Sequence, residues 1–134
     1  MATGTLGTSA RDYPSRESRF CVNLTFTNFG GGAARKIGTI PINSVLLRCY
    51  TVTGTAFNSS TTNNIQVGTA SGGAQVVAAA AIGAQGINTQ TILAAAAGPL
   101  AADTDIWIQG TFAAAAPTAG NADFVLEWAN PAGQ

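Results

Sequence analysis

The stretch Thr104 to Phe112, TDIWIQGTF, alternates Ile106, Ile108 and Phe112 with Asp105, Trp107, Gln109 and Thr111. A period of two sends successive side chains to opposite faces of a strand, so this run predicts a strand with one buried face. Asp123 to Trp128, DFVLEW, repeats the pattern, with Phe124, Leu126 and Trp128 set against Asp123, Val125 and Glu127. A loop holding Pro117 and Gly120 separates the two runs. Earlier in the chain, Phe20, Val22, Leu24 and Phe26 alternate with Cys21, Asn23, Thr25 and Thr27, and the triple glycine after Phe29 is expected to end that strand. Lys36 to Ile40 reads as a short strand stopped by Pro41. Ser44 to Thr53 carries apolar residues on both faces, which predicts a central strand.

The middle of the chain is less decided. Phe57 to Asn64 reads as a polar loop, because Asn, Ser and Thr satisfy turn backbone with their own side chains. Ile65 and Val67 open a further strand, closed by the turn at Ser71, Gly72 and Gly73. From Gln75 to Ala97, alanines that favour helix compete with Val76, Val77, Ile82 and repeated glycines that do not; the reading is two short strands with a helical turn between them. Some eight short strands separated by Gly, Asn and Pro turns predict an all-β protein, a single-domain antiparallel jelly-roll-like sandwich. The 134 residues suffice for one core. Residues 1–19 have little apolar content and read as an extended N-terminal arm, which leaves 20–134 as the sandwich domain.

Charge is both scarce and segregated. From Cys49 to Ala102 there is no Asp, Glu, Lys, Arg or His. Residues 1–48 hold six basic residues against two acids, a formal +4, whereas residues 49–134 hold four acids and no base, a formal −4. The net charge of zero gives copies little to repel one another with, as suits a protein built into an assembly. Six cancelled positive charges do not make the basic, aromatic-interleaved face of a nucleic-acid binder. No apolar run reaches transmembrane length and no basic-then-apolar leader opens the chain, so a soluble protein acting without secretion or membrane contact is expected.

Chemistry is sparse too. With no histidine, neither Ser–His nor Cys–His catalysis is available, and no cofactor motif is present. Asp103, Asp105, Asp123 and Glu127 could supply a glycosidase carboxylate pair or calcium oxygens, but Asp103 and Asp105 stand at a strand entrance where acids ordinarily cap, and the dense spacing of a calcium loop is missing. The expectation is therefore no enzyme and no metal. Cys21 and Cys49, both in strand-like runs, read as buried hydrophobes, with a bridge between paired strands as the alternative. Trp128 falls in phase with Phe124 and Leu126 and is expected in the core, whereas Trp107 falls out of phase with Ile106 and Ile108 and is a candidate exposed contact residue.

The runs GTIPINSVLLR (residues 38–48), TAFNS (55–59), IQVGTA (65–70), PLAADT (99–104) and PTAGNAD (117–123) together resemble the small jelly-roll head decoration, or cement, proteins of tailed bacteriophages over roughly residues 36–129. The resemblance implies a structural virion protein on the capsid surface, assembled in the host cytoplasm. Its partner would be the major capsid protein, in company with its own copies as a dimer or trimer, with no catalysis and no cofactor. On that reading Arg11, Tyr13, Arg16 and Arg19 form a capsid-contact arm, since Arg and Tyr are enriched where interfaces draw their energy. The alternative is a tail or fibre module recognising host-surface carbohydrate through Trp107, Tyr50 and the loop from Phe57 to Asn64.

Overall fold

The computed structural model of the protein describes residues 17–29 and 31–130. Eight strands form in chain order: β1 (Glu17–Thr25), β2 (Arg35–Ile40), β3 (Val45–Thr55), β4 (Thr62–Gly68), β5 (Val77–Ala81), β6 (Gly86–Gln90), β7 (Thr104–Ala113) and β8 (Asn121–Ala129). They build two four-stranded antiparallel sheets, one ordered β1-β8-β3-β6 and the other β2-β7-β4-β5. The first strand thus lies beside the last, the second beside the seventh, the third beside the sixth and the fourth beside the fifth. This is a long hairpin wound into a jelly-roll-like sandwich, and winding leaves only short edges open to solvent.

The core fills the gap between the sheets from alternate positions of each strand. Leu24, Cys49, Phe124 and Leu126 come from the first sheet and Ile40, Ile65, Val67, Ile106 and Ile108 from the second, all fully enclosed. Trp128 joins them as expected, its ring 4.5 Å from that of Phe20. β3 lies between β8 and β6, the central place that its two apolar faces predicted. A bulge between Leu46 and Arg48 turns Leu47 out of the ladder.

Several expectations are corrected in detail. β1 begins at Glu17, so Arg19 is strand rather than arm; Arg11, Tyr13 and Arg16 lie outside the described residues. The same strand stops at Thr25, and Phe26–Phe29 makes one helical turn, α1. Thr25 and Asn28 close it reciprocally, Asn28 N donating to Thr25 Oγ1 (3.3 Å) and Thr25 N to Asn28 Oδ1 (2.8 Å), the logic of a capping box. Phe29 is thereby swung into the core and Phe26 to the surface. β4 starts at Thr62, inside the stretch read as loop, and the helical turn expected between β5 and β6 falls after β6, as a 3-10 turn at Ala94–Ala96. Among the described residues no helix is long and apolar enough to cross a membrane.

The cysteines also divide. Cys21 and Cys49 lie on β1 and β3, either side of β8, but Cys21 pairs with Val125 and Cys49 with Leu126, one residue apart, so they point to opposite faces of one sheet. Neither is bridged; Cys49 is buried but Cys21 is exposed, against the expectation that both are core residues. Burial pushes the Cys49 thiol up to about 12. Iodoacetamide is therefore expected to label one thiol, Cys21, in the native protein and both after unfolding, which peptide mass spectrometry reads directly.

Candidate interaction surface

Two outer faces are available, one per sheet. On the β1-β8-β3-β6 sheet, the outward residues of neighbouring strands form rows. The first row is Arg19, Glu127 and Arg48, and the next Cys21, Val125, Tyr50 and Thr89. A third runs Asn23, Asp123, Val52 and Ile87. The first row is an ion-pair cluster. Arg48 grips Glu127 with two parallel bonds, Nε to Oε1 at 2.8 Å and Nη2 to Oε2 at 3.0 Å, and its guanidinium lies 5.4 Å from the centre of the Tyr50 ring. In the third row Asn23 Nδ2 donates to Asp123 Oδ1 (2.9 Å) and Asn121 Oδ1 (2.8 Å).

The hydrogen bonds from Arg48 hold the Glu127 carboxyl below the usual carboxylate range, and Asp105 is lowered likewise by Thr39 and Lys36. A carboxylate lowered by folding stabilises the native state above its unfolded pKa, and that contribution disappears as pH falls through the folded value. Melting temperature is therefore expected to hold near neutrality and to drop once the pH passes below about 4, the ordinary carboxylate range. Glu127→Gln is expected to flatten part of that acid limb without moving the neutral plateau far, because the Arg48 side chain is largely in solvent. Thermal melts of both proteins across the acid range check this.

The most exposed large apolar side chains also belong to this sheet. Ile87 is 73% exposed, Leu47 46% and Val52 40%, and Ile87 and Val52 are direct cross-strand neighbours. β6 is inverted in polarity: Asn88 and Gln90 face the interior while Ile87 faces water. The inward amides are provided for. Gln90 Nε2 donates to Asn88 O (2.6 Å) and Thr51 Oγ1 (3.3 Å), and Asn88 Nδ2 donates to Ala84 O (2.8 Å) and Thr53 Oγ1 (3.2 Å). These bonds hold β6 in a register that a slip of one residue would reverse, sending Ile87 in and the amides out. Composition did not single out Ile87; its signal was a lone large apolar residue in the polar run GINTQ (86–90).

The outer face of the other sheet is polar. Lys36 Nζ sits 3.1 Å from Asp105 Oδ1, which also accepts from Thr39 Oγ1 at 2.8 Å. Gln66 and Gln109 are cross-strand partners that donate to the carbonyls of Gly72 (2.8 Å) and Gly32 (2.7 Å). Trp107 lies on this face, half-buried between Lys36 and Gly68. It is on the opposite side of the sandwich from Arg19, and from Tyr50. The loop expected to complete a sugar platform with these aromatics turns inward, with Phe57 and Ser59 buried and Asn58 bonded to Thr118 through both atoms of its amide. Those residues do not come together as one platform.

The acids are likewise dispersed and engaged. Asp103 accepts from the Ile42 amide at 2.9 Å, Asp105 from Lys36 and Thr39, Asp123 from Asn23 and Glu127 from Arg48. Among the described residues no three of His, Cys, Asp and Glu gather where they could hold a metal.

No protein-family model matches this chain, and no curated protein does. Among solved structures it is similar to a chain of the cyanophage Pam1 capsid asymmetric unit, with a TM-score of 0.60 at 19% identity over 86% of this chain and 84% of that one. It is also similar to a chain in the capsid of Ralstonia phage GP4, with a TM-score of 0.54 at 20% identity over 85% of this chain and 83% of that one. At such identities the likeness is one of fold.

Proposed function

We propose that this protein is a structural component of a phage virion, a decoration protein that binds the outer surface of the head and cements contacts between major capsid subunits. The observation that carries the reading is the fold likeness, over most of the chain, to chains found in two phage capsids. The surfaces support it: the acids are engaged and scattered rather than paired for hydrolysis, and the three most exposed large apolar residues, Ile87, Leu47 and Val52, belong to one sheet. Cementing works by mass action. A protein that binds the assembled shell and not its free subunits stabilises the shell by its binding free energy, repeated at every copy.

In this reading the arm that carries Arg11, Tyr13 and Arg16, continued by Arg19 at the start of β1, reaches acidic groups of the major capsid protein, where guanidinium groups pair with carboxylates in bidentate fashion. The test is co-sedimentation with expanded heads that lack the protein. Saturation at a copy number commensurate with the shell symmetry supports cementing. Loss of attachment on deleting residues 1–16, which spares β1, assigns the contact to the arm. A folded protein that does not bind heads, but binds glycans in a manner abolished by Trp107→Ala, belongs to a tail or fibre instead.

A further inference from the structure

The four sheet edges of this sandwich are β1 and β6 in one sheet and β2 and β5 in the other. An open strand edge invites pairing with another chain, and soluble proteins block it with charges, prolines or bulges. Three of the four edges here are blocked. β1 carries Glu17 and Arg19; β2 carries Arg35 and Lys36 and a bulge between Lys36 and Gly38; β5 is broken by a bulge opposite Ile65–Val67. β6 has none of these devices. It holds no charge and no proline, and its pairing with β3 runs without interruption from Gln90 opposite Cys49 to Gly86 opposite Thr53.

The same strand presents the most exposed large apolar side chain among the described residues, Ile87, beside Val52 of β3. Its inner face is occupied by hydrogen-bonded amides, so the outward position of Ile87 is built in rather than a loose register. We propose that β6 is a self-association edge, at which β6 of a second copy adds antiparallel across a two-fold axis and joins two four-stranded sheets into one of eight.

Charge complementarity selects a second copy as the occupant. β6 itself carries no charge; the nearest charged side chains lie on the strands behind it, Arg48 held by Glu127 through two bonds and Asp123, beside Val52, held by the Asn23 amide. At the β6 edge itself, a partner recognised through ions would find no charged group to answer its own. A second copy meets an unpaired edge with an unpaired edge and an apolar side chain with an apolar side chain, and it buries no unpaired charge. The contact does not depend on the capsid reading and leaves the opposite edge, where β1 begins, free to engage another surface.

Sedimentation velocity of the full chain alone, over a wide range of concentration and without phage heads, tests it. A dimer is expected. Ile87→Glu sets two like charges near the axis and is expected to raise the dimer dissociation constant at least about tenfold while the melt of the monomer stays close to wild type. Ile87→Thr, which keeps a β-branched strand former, is expected to weaken the dimer in the same direction and serves if the glutamate variant does not fold. A wild-type protein that is monomeric throughout, a closed trimer, or a dimer unaffected by either substitution overturns the proposal. Head binding plays no part in these outcomes, so a failure here and a failure of the cementing reading are separate results.

Discussion

Phe124→Ala is expected to lower the free energy of unfolding by about 4 kcal/mol and the melting temperature by about 14 °C. The phenyl ring is fully enclosed, and it projects from β8 between Val22 of β1 and Thr51 of β3. Both flanking strands are tied to β8 along their length, so the backbone cannot collapse into the space that the ring vacates. The loss therefore includes a cavity term as well as the transfer term. Phe124→Leu keeps most of the volume and is expected to cost less than half as much. Chemical denaturation of the three proteins measures the series; a loss below about 1.5 kcal/mol for the alanine variant would show that the site collapses after all.

Gly120→Ala is expected to destabilise by about 3 kcal/mol, because two independent costs fall on one methyl group. Gly120 holds φ at +148°, a conformation that side chains rarely adopt, and a Cβ there would overlap the Phe57 ring. The ring has no easy retreat: it is buried and stacks on Phe112 at 5.5 Å between centroids. Nor is the backbone free, since Gly120 O accepts a hydrogen bond from Phe26 N at 3.0 Å. Gly54→Ala makes the control, for its nearest neighbour would be 3.9 Å away. That change is expected to leave stability within about 0.5 kcal/mol of wild type, or to raise it slightly by restricting the unfolded chain. Equal denaturation midpoints for the two variants would refute the account of Gly120.

The parts of the molecule that read correctly from sequence are those where one local signal dominates. β7 and β8 show clean two-residue alternation, and their registers with β2, β4, β1 and β3 bury Ile106, Ile108, Phe124, Leu126 and Trp128, with Phe112 half-buried at the end of β7. The errors lie where local signals conflict. Alanine at 79–81 favours helix intrinsically, yet these residues extend along β4 because ladder pairing outweighs a few tenths of a kcal/mol per residue of propensity. Phe26 continues the alternation of β1 on paper, but the reciprocal bonds of Thr25 and Asn28 offer the backbone a helical turn instead.

The candidate surface was less legible than the fold. The phase of Trp107 predicts an exposed contact residue; the side chain lies on an outer face but is half-buried there. That Tyr50 faces away from it on the other sheet, that Cys21 is exposed while Cys49 is buried, and that Ile87 faces water while Asn88 faces in, all depend on which strand pairs with which.

By itself, then, the sequence determined the strand count, the single core and the segregation of charge, because alternation and composition are written residue by residue along the chain. The tertiary structure alone decided which outward residues share a face and which of four edges is left open. Those properties arise from pairing between strands distant in sequence, and a bulge or a register of one residue inverts them.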